Sequence, residues 1–380
     1  MDTSTSFSSK SSTSLTTELS PNNSFTSFIS TDLPANPNQR LITNSSLPIP
    51  TESLTIPEVP KLPQTPLKIG GETFQLERKP NIYAYNTYNK DAATFSLDTK
   101  SFRDAQLSEI TNPTDRSQIS EFIARSFDID PTTGNATIRR SLLGSQQLTD
   151  LKQDLLTSQK NGVTWKFILA PEAIQNISVT GASERFEGYN SDRSEILKFI
   201  NDNKIQNVIF LSDNIQGIVV NNLTYQESPG SPQIGTGAFE ITTGSVAENT
   251  LFGSLVVDIA TKANLINPLQ RALYNSLPVA YDSDDLPNDK DDVIKQALNA
   301  QFKTLGYDPI GLNNNLPIAD GLIDAKLFQG DYISAHTYGR TTFDINGETK
   351  KLTVTTYGSP NSNSAESGEV IVSQFEVTPR

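Results

Sequence analysis

The apolar run over residues 207–212, Asn-Val-Ile-Phe-Leu-Ser, restricts the fold of this chain more than any other segment. Its β-branched and aromatic side chains are typical of a strand that is buried on both faces. A second strand-like run covers residues 163–169. Between the two, Asp192 and Glu195 have the spacing of a capping pair and precede apolar residues at helical spacing. Strand, helix and strand in this order predict an α/β layer.

Further strands and helices are predicted on both sides of this unit. Leucines at helical spacing predict a helix over residues 146–159, and further helical patterns lie within residues 254–303. Asn346-Gly347 predicts the tight turn of a β-hairpin over residues 340–357. Strands are also predicted over residues 93–98, 218–225, 237–243 and 369–377.

Residues 1–68 differ in composition from the rest of the chain. Ser, Thr, Asn and Pro dominate there, and such a segment buries too little apolar surface to offset the entropy of ordering. We therefore predict a disordered tail over residues 1–68 and a folded region over residues 69–380. The first residues lack the basic start and apolar core of a Sec-type signal peptide. The sequence contains no run of about 18 apolar residues, so no membrane span is predicted.

The counts of cysteine and histidine, together with the net charge, exclude several kinds of site. Cysteine is absent, so a metal ion would have to be bound through oxygen or imidazole. His336 is the single histidine, which rules out a centre of several imidazoles within the chain. The net charge of −13 argues against a general nucleic-acid-binding protein, because no basic excess is available to neutralise phosphates.

Several segments in one particular order resemble the PhoD-like alkaline phosphatases. Each segment is weak alone, but together they span roughly residues 80–245 and make the resemblance fairly specific. The segments are residues 95–104, 140–148, 163–167, 184–193 and 207–212. The sequence over residues 299–358 is similar to the end of a bacterial, cyanobacterial branch of the same family.

The resemblance implies both a fold and an activity. The expected fold is α/β, a partial metallophosphatase-like sheet sandwich flanked by helices, in which residues 69–380 form the family's C-terminal region. The expected activity is the hydrolysis of phosphate esters with calcium or iron as the metal cofactors. An extracellular or periplasmic location is also implied by the family.

Two departures from the family's pattern argue against metal-dependent catalysis. The Gly-Asp-Tyr and Asp-Asp-His-Glu metal motifs of the family's N-terminal half have no counterpart in residues 1–70. The later Asp-x-His pattern aligns with Asp213, Asn214 and Gln216, so that amides replace a carboxylate and an imidazole. These three residues are the candidate metal ligands, but we expect impaired metal binding there. The alternative is a polar turn after a core strand.

Three more residues are candidates for the site by the same resemblance. Asp98 and Arg103 would bind the substrate, because a guanidinium can hold a phosphate through two hydrogen bonds. The alternative for this pair is a structural ion pair at a strand end. His336 would be the catalytic acid or base, or else a hydrogen-bonded structural residue. The charged loop over residues 184–193 either borders the active site or supports the helix that follows it.

The acidic segment over residues 282–292 is a candidate calcium loop. The twelve-residue EF-hand pattern fails, however, because Leu286 stands at position five and Pro287 replaces the glycine at position six. We therefore interpret the segment as a solvated loop in which Asp291 and Asp292 favour the start of the next helix.

These observations predict a PhoD-like phosphatase homologue that is truncated and is inactive or weakly active. Its expected ligand is a phosphate ester or phosphate. One alternative is the C-terminal half of a split phosphatase, with a complementing chain that supplies the missing ligands. Another is a non-enzymatic extracellular or surface binding module. A truncated sandwich would leave apolar surface uncovered, so we also expect a homodimer or poor solubility.

Overall fold

The structure, a computed structural model, describes residues 82–244, 250–359 and 370–380 and four short strands nearer the amino terminus. The predicted disordered tail therefore lies largely outside the described residues. The four strands are β1 (Ser12–Thr17), β2 (Ser27–Phe28), β3 (Leu67–Ile69) and β4 (Glu72–Phe74). Strands β3 and β4 pair with each other in a separate antiparallel ribbon.

The larger sheet has seven strands in the order β12-β9-β10-β8-β7-β6-β5. Its centre is parallel, because β6, β7, β8 and β10 run in the same direction. Strands β5, β9 and β12 are antiparallel to their neighbours. The strands are β5 (Ala84–Tyr88), β6 (Ala92–Ser96), β7 (Trp165–Ala170), β8 (Val208–Ser212), β9 (Ile218–Tyr225), β10 (Ile234–Thr242) and β12 (Ile333–Ser334).

The second sheet has six antiparallel strands in the order β11-β15-β14-β13-β1-β2. Most of it comes from the carboxyl-terminal part of the chain, where β13 and β14 form the predicted hairpin. Strand β1 pairs with the other edge of β13. The remaining strands are β11 (Asp324–Gly330), β13 (Tyr338–Asn346), β14 (Leu352–Ser359) and β15 (Val370–Thr378).

The two sheets pack face to face around a shared apolar core. Trp165 and Phe167 on β7 meet Phe343 on β13, and the rings of Phe167 and Phe343 are 5.8 Å apart in an edge-to-face arrangement. The Trp165 indole N–H donates to the main-chain oxygen of Lys350 at 2.7 Å, which ties the hairpin loop to the larger sheet. The predicted α/β sandwich is therefore confirmed.

Helices cover the other face and one end of the larger sheet. α2 and α3 contribute Leu151, Leu155 and Ile196 to the core on that face. α4, α5 and α6 gather around β12 at the sheet's edge in a separate cluster. The helices are α1 (Arg116–Ser126), α2 (Ser145–Lys160), α3 (Asn190–Asp202), α4 (Phe252–Lys262), α5 (Pro268–Ser276) and α6 (Lys290–Leu305). Within the described part of the chain, no helix has the length and apolarity that crossing a membrane requires.

The turn between β13 and β14 differs from the prediction. Neither Asn346 nor Gly347 has a positive φ angle; within this loop the positive φ, of 59°, falls at Lys350. The Asn346 carboxamide oxygen accepts hydrogen bonds from two N–H groups of the loop, at 3.0 and 2.9 Å. The connection is therefore a longer loop over residues 347–351 that begins with an Asx turn, which an Asn-Gly pair does not distinguish from a two-residue turn.

The start of α3 also differs from the prediction. The helix begins at Asn190, and Asp192 is a buried residue of its first turn rather than its cap. The Asp192 carboxylate accepts hydrogen bonds from Arg139 Nη2 at 2.8 Å, Ser141 Oγ at 2.6 Å and the Leu142 N–H at 2.9 Å. It therefore fastens the segment before α2 to α3, a long-range role that local spacing does not reveal.

Replacement of Phe343 by alanine tests how far stability depends on the contact between the sheets. Phe343 is fully buried, so Phe343→Ala should lower the free energy of unfolding by about 3–5 kcal/mol through lost burial and a residual cavity. Phe328→Ala is the matched control, because Phe328 is 51% exposed. Urea denaturation of both variants checks the prediction, and equal losses would contradict it.

Candidate functional site

The carboxyl ends of three neighbouring parallel strands bring polar side chains to one edge of the larger sheet. Asp98 and Lys100 follow β6, Glu172 follows β7, and Asp213 and Asn214 follow β8. Ligand sites of open parallel sheets lie at this edge, outside the carboxyl ends of the strands. We call these five residues the strand-end cluster.

Glu172 lies at the centre of the strand-end cluster. Its carboxylate is fully buried, and Lys100 Nζ donates to one oxygen at 2.6 Å. The Asn214 carboxamide N–H donates to the other oxygen at 2.8 Å. A second carboxylate, that of Glu184, lies 3.8 Å from Lys100 Nζ at the exposed side. Nothing in the local sequence marked Glu172, because its role depends on residues from two other strand ends.

Asp98 is held by the backbone that follows it. One carboxylate oxygen accepts from the N–H groups of Lys100 at 3.0 Å and Ser101 at 2.9 Å. The Gln147 side chain from α2 pairs with the main chain of Asp98 through two hydrogen bonds, at 2.7 and 2.9 Å. The Asp98 Oδ2 atom is buried and has no hydrogen-bond partner among the described residues. The carboxylate therefore stands at the cluster in a fixed orientation.

Asp213 has an unusually high pKa for a carboxyl group. Partial burial is the main cause, the nearby Glu172 charge adds to it, and Lys100 partly offsets it, so the pKa rises to about 7. The two following amides lie in the predicted turn, where Asn214 and Gln216 have positive φ angles of 70° and 52°. Asn214 is exposed and Gln216 is half-buried.

Two buried carboxylates fix the loop that carries Glu172. Glu240 on β10 accepts from the N–H groups of Ile174 at 2.9 Å and Gln175 at 2.7 Å. Glu187 accepts from the Ile177 N–H at 2.9 Å and from the next N–H at 3.2 Å. Burial raises the pKa of Glu240 to about 7 despite these bonds. From the sequence, Glu187 was considered only as part of the charged loop over residues 184–193, and Glu240 was not considered. Each reaches its partners only through the folded topology.

The charged loop over residues 184–193 supports this same region. Arg193 is 2% exposed and donates to the main-chain oxygens of Ile174 at 2.6 Å and Thr224 at 2.7 Å. Arg185 pairs with Glu187 at 2.6 Å. The charged groups of the loop thus brace the backbone around the strand-end cluster.

Arg103 lies half-buried with a local partner. Its guanidinium is within hydrogen-bonding distance of the Gln106 carboxamide. Burial raises the pKa of Tyr189, and the positive charge of Arg103 partly offsets that rise. The predicted pair of Asp98 and Arg103 therefore consists of one residue in the strand-end cluster and one on the following segment. Their assignment to substrate binding remains a prediction.

His336 follows β12, whose carboxyl end lies at the same edge of the larger sheet as those of β6, β7 and β8. Its Nδ1 atom is 2.6 Å from an Asp291 carboxylate oxygen, and its Nε2 atom shares a hydrogen bond with the Tyr274 hydroxyl. The backbone of Gly253 lies against the imidazole so closely that a Cβ there would stand 2.0 Å from the ring. Both ring nitrogens are thus engaged by side chains of α5 and α6. Its assignment as a catalytic residue remains a prediction.

Comparison with known proteins identifies the family. The sheet sandwich is metallophosphatase-like, and the family model described as PhoD-like phosphatase matches residues 65–277. The match covers more than half of the chain, which therefore belongs to the PhoD-like phosphatase family. The solved structure titled "Structure of PhoD" is similar with 16% identity and a TM-score of 0.41, over 82% of this chain and 42% of that chain. No curated protein matches the sequence.

The PhoD family is metal-dependent, but the strand-end cluster does not fit a metal centre. Both oxygens of Glu172 already accept from Lys100 and Asn214. The Asn214 side chain faces Glu172 with its N–H group, because its amide oxygen in that position would face a carboxylate oxygen. Among the described residues, carboxylates that converge in threes within 4.8 Å occur near α6 and not here. The unpartnered oxygen of Asp98 is the one feature that would suit a cation.

The raised pKa of Asp213 predicts a pH-dependent effect of Asp213→Asn. The folded chain binds a proton at Asp213 more tightly than the unfolded chain, so wild-type stability falls as pH rises from about 4 towards 7. Asp213→Asn removes this cost and should raise the melting temperature by about 2–4 °C at pH 8 but not at pH 4. Differential scanning calorimetry checks it, with the exposed Asp320→Asn as control. An equal change at both pH values would contradict it.

Proposed function

We propose that this chain is a PhoD-like phosphatase homologue in which metal-dependent hydrolysis of phosphate esters is absent or weak. The observation that carries the proposal is the position of Lys100 Nζ, 2.6 Å from the buried Glu172 carboxylate. An ammonium group at that distance supplies the positive charge that a metal ion would supply. It cannot lower the pKa of a bound water as a metal ion does, so a nucleophile would not form at neutral pH.

The charge of the strand-end cluster supports the same proposal. Lys100 is the single cation among the cluster's side chains, which include the carboxylates of Asp98, Glu172 and Asp213. Without a metal ion, this balance repels a phosphate dianion rather than attracting it. We therefore expect weak affinity for a phosphate ester as well as weak turnover. General nucleic-acid binding remains disfavoured by the net charge of −13.

Hydrolysis of an aryl phosphate tests the proposal directly. The unmodified chain should give no turnover above background with Fe³⁺, Ca²⁺, Mn²⁺ or Zn²⁺ supplied in turn. The triple variant Lys100→Ala/Asn214→Asp/Gln216→His removes the ammonium and restores the family's ligand types. It should therefore bind a metal ion at least about tenfold more tightly than the Asn214→Asp/Gln216→His double variant.

The matched control is Lys198→Ala combined with the same double change. Lys198 resembles Lys100 in exposure, 48% against 55% of the side chain, and it also pairs with a carboxylate, Glu227, at 2.8 Å. The control should bind metal like the double variant. Metal-dependent turnover by the unmodified chain that Asp213→Asn abolishes would overturn the proposal.

We also propose that two copies of this chain form a dimer. This is an alternative to assembly with a different, complementing chain. Leu269 and Leu273 on α5 lie one turn apart and are 79% and 64% exposed, which supports an apolar contact. We expect sedimentation velocity to show a dimer that Leu269→Ser/Leu273→Ser converts to monomer, because the change removes the apolar surface. Monomeric sedimentation of the unmodified chain at every concentration would contradict this expectation.

A further inference from the structure

The acidic segment before α6 is only partly solvated. Asp282 and Asp284 are exposed, as a solvated loop requires, but Asp289, Asp291 and Asp292 are buried. Asp289 is the N-cap of α6 and accepts from the N–H groups of Asp291 at 2.7 Å and Asp292 at 3.1 Å. The predicted helix start is therefore present, and the carboxylates of its first turn point into the protein rather than into water.

Three carboxylates of this segment converge on one point. One oxygen from each of Asp282, Asp284 and Asp292 lies within 4.8 Å of the other two. We call these three residues the loop cluster. Asp292 also converges with Asp285 and Asp331 within the same distance. Like charges at such a separation repel one another unless a proton or a cation compensates them.

The ammonium group of Lys295 compensates only two of these carboxylates. Lys295 Nζ pairs with Asp285 at 2.6 Å and with Asp331 at 2.8 Å. Asp292 is 5% exposed, yet its Oδ2 atom is buried without a hydrogen-bond partner among the described residues. A buried, unpartnered carboxylate oxygen is costly unless something binds it. This oxygen belongs to Asp292, the residue that is common to both groups of three carboxylates.

We propose that Asp282, Asp284 and Asp292 bind a calcium ion. Calcium takes oxygen ligands at about 2.3–2.6 Å, so two of its ligands can stand up to about 4.6–5.2 Å apart, which the loop cluster satisfies. Exposed loop carbonyls and water can complete six to eight ligands around such an ion.

This site differs from both metal sites considered from the sequence. It does not need the EF-hand ligand positions, which fail at Leu286 and Pro287, because Asp292 enters from the first turn of a helix. It also lies beyond residue 277, where the match to the family model ends, and it shares no residue with the strand-end cluster. The inference therefore stands whether or not the chain hydrolyses phosphate esters.

Calorimetric titration of the full chain with CaCl₂, after treatment with a chelator, tests the inference. We expect one calcium ion per chain with a Kd of about 10⁻⁵–10⁻³ M and weaker binding of Mg²⁺. Asp282→Asn/Asp284→Asn should weaken binding at least about tenfold. The variant Asp292→Asn should raise the melting temperature in calcium-free buffer, because it removes a repelling charge, but should abolish the further rise that calcium causes.

Two controls separate the loop cluster from other carboxylates. Asp320→Asn/Asp324→Asn removes two exposed charges outside the cluster and should leave calcium affinity unchanged. Asp213→Asn should also leave it unchanged, and loss of binding in that variant would move the ion to the strand ends and overturn the inference. Absence of calcium binding up to about 10 mM, unchanged binding by the loop-cluster variants, or equal affinity for Mg²⁺ would overturn it too.

Discussion

The geometry of the strand-end cluster depends on how the buried loop after β7 satisfies its main-chain N–H groups. Residues 173–177 are buried without regular secondary structure, and an unpaired buried N–H is costly. Glu240 and Glu187 together accept from three N–H groups of this loop and from that of Ser178, which follows it. Arg193 donates to one of the loop's carbonyls. Three buried charges, each costly alone, thus stabilise one another and the loop. The position of Glu172 follows from them.

A lysine and a metal ion satisfy a buried carboxylate in different ways. A metal ion draws several ligands to about 2.0–2.6 Å and so favours carboxylates that converge. Lys100 offers a single positive charge from an exposed side, and the Glu172 carboxylate completes its contacts with the amide of Asn214. The cluster is therefore organised around donors rather than around a shared cation. The amide at position 214 contributes a donor that a carboxylate in its place could not supply.

The sequence predicted the elements of the fold better than the connections between them. Strand β9 lies where the apolar pattern placed it, over residues 218–225, and α2 extends the predicted helix by one residue at each end. Local periodicity suffices for such elements because burial of a face determines them. The hairpin loop after Asn346 was mispredicted because an Asn-Gly pair suits both a two-residue turn and the Asx turn that begins the longer loop.

The candidate site could be predicted only where the resemblance to the family pointed to particular residues. Asp98, Asp213 and Asn214 were found in this way, and each lies at or directly after the end of a recognisable strand. Glu172 and Glu240 could not be assigned, since their partners lie on segments that only the sheet order brings together. The engagement of His336 by Asp291 and Tyr274 likewise depends on three separate helices and strands that have no common sequence signal.

The three aspartates at the start of α6 belong to one sequence pattern but have different partners in the folded chain. Acidic residues in a first turn favour a helix, because the N-terminus carries roughly half a positive charge. Asp289 accepts two N–H groups there, and Asp291 accepts from the Ala335 N–H at 2.9 Å while it contacts His336. The partial positive charge of the helix N-terminus is too small to neutralise the carboxylate of Asp292 in addition to those of Asp289 and Asp291. Asp292 has no such partner for its Oδ2 atom among the described residues, and this is why the calcium ion is proposed there.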